Sequence, residues 1–317
     1  MTTPQGTTTV LRASVLPASR ARSQRIRAIK DFIAAMLFLS PSLVIFISFV
    51  FVPLLKTIQL SFFYTDPIGR VAGFAGLDNY SRVFIEDKDI WNSLRVSLIF
   101  VLYVVPFTMI TSLFLAVVAN VQLRGISVFR VIFSSTIAVS GAAASLIFLF
   151  LFHPAIGIFN YTLDLVHLPR VAWLTSDATA LFSLAIVTVW LTLGFNTVIF
   201  LAAMQGISQE LYESATIDGA GFWQSFRHIT IPLISPTLFF LIVVSTLNAL
   251  QTFTQIDVMT RGGPNHATES LVYVIYRAFY FNGQYGFAAA MSVFLFLLML
   301  VCTILQFGVL ERRVHYA

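Results

Sequence analysis

The chain has 317 residues, of which 58% are hydrophobic and only 10% charged, with a formal net charge of +5. A soluble domain carries about 25% charged residues, and disordered chains are poor in apolar ones. An ordinary water-soluble enzyme and a disordered chain are both excluded. The single cysteine, Cys302, excludes an internal disulfide framework and a cysteine metal cluster.

The chain opens on a basic tail. Six of its 19 Lys and Arg residues fall in the first 30 positions (Arg12, Arg20, Arg22, Arg25, Arg27, Lys30), and no acid precedes Asp31. Six stretches then reach the roughly 20 apolar residues that a bilayer span needs. They are Phe32–Leu55, Leu94–Val118, Ile126–Phe152, Ala180–Met204, Leu233–Thr254 and Phe287–Leu310. Met291–Leu310 alone holds thirteen Leu, Ile, Phe or Val and no charge. At about −0.4 kcal/mol each, these favour insertion by about 5 kcal/mol gross. Lipid satisfies no open backbone group, so the spans are expected to be helices. The fold class is therefore all-α, a polytopic membrane protein with six transmembrane helices. Pro53, Pro106 and Pro236 lie in or near the ends of spans, where they are expected to bend helices.

Orientation follows from the basic residues. With the amino terminus inside, the inner segments collect the six tail charges and Arg124, Arg130, Arg227, Arg312 and Arg313. The longer outer segments hold Lys56, Arg70, Arg82, Lys88, Arg95, Arg170, Arg261 and Arg277. Both termini are thus expected in the cytoplasm. The chain divides into a basic cytoplasmic tail (1–31), a membrane domain (32–310) with a cytoplasmic loop at 205–232, and a cytoplasmic carboxyl-terminal tail (311–317).

The sequence lacks a G-x-x-x-x-G-K-[ST] phosphate loop, an H-E-x-x-H zinc helix and a G-x-S-x-G elbow. No cofactor, metal or catalytic residue is expected in this chain, and no nucleic acid as partner. The spans contain no Asp or Glu, which counts against a proton-driven carrier.

The inner loop is the most informative stretch. Ser208 is placed to cap a short helix running to about Ile217, with Glu210 in its first turn. Gly219 permits the left-handed turn that ends it. A second short helix fits Phe222–Ile229, stopped by Pro232. Glu210 and Glu213 share a face at i, i+3, and their mild repulsion fits either a solvated acidic face or a basic partner surface.

This loop resembles the "EAA" loop of ATP-binding-cassette importer permeases. The family pattern is Glu-Ala-Ala, three residues, Gly, nine residues, Ile, one residue, Leu-Pro. Here it stands as Glu213-Ser214-Ala215, Gly219, Ile229 and Ile231-Pro232 with every spacing kept. Gly76–Tyr80 looks like the family's first outer loop. Thr260–Pro264, with Thr268, Leu271, Tyr276 and Phe279, looks like the loop after span five of its sugar-type members. Within the family the segment Ile256–Gly283 and the carboxyl-terminal residues Glu311–Tyr316 resemble the glycerol-3-phosphate branch.

The resemblance implies a type I importer permease fold. It implies two ATPase subunits that bind ATP and magnesium, a second homologous permease subunit and an extracytoplasmic solute-binding protein. It implies that Glu213, Ser214, Ala215, Asp218, Gly219, Ile229 and Pro232 couple the chain to the ATPase. The cargo implied is a small polar solute, glycerol-3-phosphate or a glycerophosphodiester, with a sugar or oligosaccharide as the alternative.

Polar residues at membrane depth are expected to face a cavity or another helix. Asn248, Gln251 and Gln255 recur at i, i+3, i+7 in and just beyond span five, and Asn196 lies one turn from Thr192 in span four. They are read as lining the translocation path, against the alternative of helix–helix hydrogen bonding. Outside, Arg261, Gly262, Gly263 and Pro264 are read as a docking surface for the binding protein or an outer gate. Arg261 and Arg277 are also placed to steer a phosphate-bearing solute.

Overall fold

The computed structural model describes residues 18–121 and 124–311. Arg12, Arg312 and Arg313 lie outside the described residues. The chain forms two units, residues 1–56 and 57–317.

In the first unit, α1 (Ala18–Phe46) passes through a π turn, Ile47–Phe51, into α2 (Val52–Leu60), whose residues from Thr57 onward belong to the second unit. The membrane-length apolar helix covers Ile29–Leu60, and its most apolar window contains no buried residue. Pro41 sits inside α1, where it cannot donate to the Leu37 carbonyl. The Ser40 hydroxyl takes that carbonyl instead, at 2.8 Å. Pro53 follows directly on the π turn, in which the Val52 N–H reaches back five residues to the Ile47 carbonyl.

The second unit starts with a hairpin of β1 (Phe63–Thr65) and β2 (Val71–Phe74), antiparallel and paired Phe63 to Phe74. This is a local exception to the all-helical expectation. A short helix, α3 (Asp78–Ser81), and a π turn, Arg82–Glu86, lead into α4 (Lys88–Ala119), the second span. Asp87 caps α4, its carboxylate accepting from the Asp89 N–H.

The third span departs from the sequence reading. Ile126–Phe152 is not one helix: α5 (Ile126–Ser134) and a 3₁₀ turn (Ser135–Ala138) meet α6 (Gly141–Leu151) at 107°. Val139 is extended and Ser140 caps α6 by accepting from the Ala143 N–H, so the chain stops and restarts there. A short helix, α7 (Ile158–Leu165), precedes α8 (Ala180–Gln205), the fourth span. The α4–α8 pair is the most extensive helix pairing of the unit. Gly194 of α8 lies against the elbow of span three, where its N–H donates to Thr136 Oγ1 at 3.1 Å. A Cβ at Gly194 would stand 2.5 Å from the Phe133 carbonyl oxygen.

The loop between spans four and five, expected inside, holds α9 (Gln209–Ile217) and then a helical run, made of α10 (Phe222–Ser225), a π turn (Phe226–Thr230) and α11 (Ile231–Leu233). Pro232 does not stop this run, contrary to the sequence reading. The Ile231 N–H bonds the Phe226 carbonyl five residues back, and the widened turn admits a ring that cannot donate to His228. The break comes at Ile234, where the run meets α12 (Ser235–Leu250) at 66°. Span five is thus shorter than Leu233–Thr254, ending at Gln251 before a separate helix, α13 (Thr254–Met259). On the same side follow α14 (Leu271–Tyr276) with a π turn, Arg277–Phe281, and then the last span, α15 (Tyr285–Leu310).

Counting each bent pair as one span gives six membrane crossings, four of them continuous helices. Three apolar clusters hold the second unit together. One joins Phe100, Phe148, Phe152, Leu184 and Ile256; a second joins Ile90, Leu271, Phe287 and Met291; a third joins Phe133, Phe200, Met204, Ile234 and Leu241.

Candidate functional site: the inner loop and the outer face

The inner loop forms the helix–turn–helix that its sequence predicts. Ser208 has cap-like backbone angles, but its side chain makes no capping bond. Helix α9 ends at Ile217 in a Schellman motif. The Gly219 N–H donates to Thr216 and the Ala220 N–H to Ala215, at 3.0 and 2.8 Å. Gly219 takes φ +80°, and no heavy atom lies within 4 Å of an added Cβ. Its requirement is therefore conformational and not steric.

Glu213, Ser214, Asp218 and Gly219 are exposed, while Ala215, Ile229 and Pro232 are half-buried. Gln209 Nε2 donates to Glu213 Oε1 at 2.8 Å, which orients that carboxylate along the helix. The second helix starts as Gln224 Oε1 accepts from the Gly221 N–H at 2.9 Å. The tip carries large exposed apolar side chains that sequence reasoning did not single out: Ile217, Phe222 and Trp223, at 87%, 63% and 75% exposure. Phe222, Trp223 and Phe226 form one aromatic group, with ring centroids 5.5–6.1 Å apart. Their signal was available in the sequence, since a run Phe-Trp-x-x-Phe in a polar loop is an exposed apolar patch of the kind that marks an interaction surface.

The proposed path residues fall in different settings. Asn248 and Gln251 are exposed, Gln255 is half-buried and Asn196 is buried. The i, i+3, i+7 stripe does not form on one helix. Asn248 lies on α12, Gln251 terminates it and Gln255 belongs to α13. Asn196 Nδ2 donates to the Thr192 carbonyl at 2.8 Å, and its buried Oδ1 has no hydrogen-bond partner in the structure. Its companion Thr192 lies 3.5 Å from Thr108 Oγ1 of α4, which places this polar pair between spans two and four.

On the other side, Arg261 and Gly262 both have positive φ, and the Gly263–Pro264 bond is cis. Arg261 is exposed; Gly263 and Pro264 line a cavity of about 670 Å³ together with Phe152, His153, Leu174 and Met259. Thr268 anchors the loop, its hydroxyl donating to the Gly263 carbonyl and meeting Thr260 Oγ1 at 2.8 Å. Asn265 donates to Asp177 at 3.1 Å, and Asn92 to the His266 carbonyl at 3.3 Å.

Arg277 does not stand free to steer a solute, as the sequence allowed. It forms an ion pair with Glu269, whose side chain is only 1% exposed and also contacts His266 Nδ1. A buried carboxylate needs such partners. Between spans three and four, the Arg170 guanidinium hydrogen-bonds Asp164 at 2.8 Å and holds that carboxyl below its ordinary range. Among the described residues no group of three or more His, Cys, Asp or Glu gathers in metal-binding geometry.

The fold and these sites have known counterparts. The sn-glycerol-3-phosphate transport system permease protein UgpA of Rhizobium meliloti (strain 1021) is 36% identical over 283 residues, covering 88% of this chain and 95% of that protein. A chain of a bacterial ABC transporter involved in the import of the acidic polysaccharide alginate superposes with a TM-score of 0.79 at 23% identity, covering 91% of this chain and 99% of that one. A second crystal structure, of a bacterial alginate ABC transporter in complex with alginate pentasaccharide-bound periplasmic protein, gives 0.78 at 23% identity, covering 90% and 96%. The fold is the type I importer permease fold. Residues 88–316 match the family described as the binding-protein-dependent transport system inner membrane component. The chain belongs to that family, as a multi-pass inner-membrane permease subunit of an ABC importer and not an enzyme.

Proposed function

We propose that this chain passes sn-glycerol-3-phosphate, or a glycerophosphodiester of it, across the cytoplasmic membrane. Support for the cargo comes from the relative named for sn-glycerol-3-phosphate transport at 36% identity over nearly its whole length. A sugar or oligosaccharide is the competing cargo. The working complex comprises this chain, a second homologous permease, two ATPase subunits carrying ATP and magnesium, and an extracytoplasmic solute-binding protein. A similar fold is known in a complex with a periplasmic protein. Residues 1–31 and 311–317 are cytoplasmic tails, 32–310 is the membrane domain, and both termini face the cytoplasm.

In this reading α9 is the coupling helix. The observation that carries it is geometric: a rigid two-turn helix ended by a Schellman turn presents Glu213 to solvent. A short stiff helix conveys a push, whereas a flexible loop absorbs it. ATP-driven closure of the ATPase pair moves α9, and the permease pair changes from inward- to outward-facing. Asn248 and Gln251, exposed on this subunit, face the path and offer amide groups to a polar solute. Arg261–Pro264 receive the binding protein, with Arg261 as the cation nearest an arriving phosphate.

The test is uptake of labelled sn-glycerol-3-phosphate by proteoliposomes holding the assembled complex. Saturable, ATP-dependent uptake is expected, and Glu213→Lys is expected to abolish it while the chain still inserts. Uptake of maltose-type sugars with no competition from sn-glycerol-3-phosphate overturns the cargo assignment. Full ATP coupling in Glu213→Lys overturns the role of α9.

A further inference from the structure

We infer that Tyr212 and Thr230 form the strut through which movement of α9 enters span five. The inference rests on the coupling role given to α9 above. Tyr212 Oη and Thr230 Oγ1 lie 2.9 Å apart. Thr230 is only 3% exposed and closes the π turn that precedes Pro232 and the bend into α12. Tyr212 is half-buried, on a helix with no fully buried residue.

The other side-chain hydrogen bonds described for α9, Gln209 to Glu213 and Thr216 to the Tyr212 carbonyl, stay inside the helix. Packing adds little to the strut, since α9 makes no extensive contact with any other helix. A groove of about 290 Å³ lies between α9 and the neighbouring ends of α4 and α8, bounded by Val117, Asn120, Met204, Tyr212 and Thr230. Beyond its chain links to α8 and α10, α9 passes a push on through the groups that bridge this groove. The phenol ring is suited to that task, because two side-chain torsions define its whole reach. Tyr212 is thus a positioning residue: it touches neither solute nor nucleotide, and it fixes the distance between α9 and the entry of span five.

The test uses the complete complex in proteoliposomes and reads solute imported per ATP hydrolysed, alongside the amount of assembled complex. Tyr212→Phe removes one hydroxyl and Thr230→Val removes the other. Each is expected to lower the transport-to-hydrolysis ratio at least threefold with assembly intact, and the double variant to lower it no further. Thr230→Ser, which keeps the hydroxyl, is expected to retain the parental ratio. An unchanged ratio in both Tyr212→Phe and Thr230→Val overturns the strut. Loss of assembly with an unchanged ratio in the complexes that remain also overturns it, since that is a structural role. Glu213→Lys in parallel separates the two claims. If Glu213→Lys uncouples and Tyr212→Phe does not, only the strut fails; if neither uncouples, the coupling role of α9 fails with it.

Discussion

The two long loops on opposite sides of the membrane are built to opposite rules. The one between spans five and six, outer in the proposed orientation, is tied down at many points. Thr268 holds Gly263 and Thr260, Asn265 reaches Asp177, Asn92 reaches His266, and Arg277 neutralises the buried Glu269. The inner one presents a well-formed helix on few attachments, with Tyr212–Thr230 the side-chain hydrogen bond that leaves α9. Regions with few buried contacts open at low free-energy cost, and moving elements are drawn from them. Under the proposed function the outer loop serves as a fixed seat and the inner loop as a lever.

Three experiments sharpen or break this contrast. The largest effect is expected at the outer seat. Arg277→Ala leaves the buried Glu269 carboxylate with His266 as its remaining partner, and such breakage costs about 3 kcal/mol, the lower end of the usual range because Arg277 is partly exposed and His266 stays in contact. A drop in unfolding midpoint of the detergent-solubilised protein checks it, and an unchanged midpoint shows the seat to be looser than described. A smaller loss is expected at the lever. Gly219→Ala forces a side chain into a left-handed turn at a cost of about 1–2 kcal/mol. Hydrogen exchange should speed up in α9 and leave α14 unchanged; equal acceleration in both helices would make the loops one cooperative unit.

The smallest effect concerns Asp164 and Arg170. The folded-state pKa of Asp164 is depressed by its hydrogen bond to Arg170. Its contribution is therefore present above the unfolded value of about 3.9 and fades as pH falls through the lower folded value. Acidification below about pH 4 should slightly destabilise the parent chain. Arg170→Gln should flatten that dependence, measured as the unfolding midpoint against pH. A slope identical in parent and variant removes the pair from the outer framework.

Much of the membrane architecture was legible in the sequence, because twenty apolar residues without charge permit few alternatives. Helix α9 was also legible to its last residue, since Gly219 announces a left-handed turn in the local sequence. The breaks were not. Apolar composition scores Ile126–Phe152 as one span whether or not the chain turns at Val139–Ser140. A contact made at that elbow, Thr136 Oγ1 accepting from the Gly194 N–H, crosses 58 residues. The i, i+3, i+7 reading of Asn248, Gln251 and Gln255 failed for a similar reason. It assumed helix continuity past Leu250, where the helix in fact ends. Arg277 looked like a free cation because its partner, Glu269, reads in sequence as an ordinary loop acid.

Proline 232 has a consequence beyond the loop. The turn before it contains one residue more than an α-helix would use. Were the ring replaced by a residue able to donate, the turn would be free to tighten to α-helical bonding with its residue count unchanged. Because the same residues then wind as α-helix, everything after the turn swings by about 100° and is pushed outward by about 1.5 Å. The ring thus acts as a ratchet pawl, preserving the azimuth at which the chain arrives at Ile234.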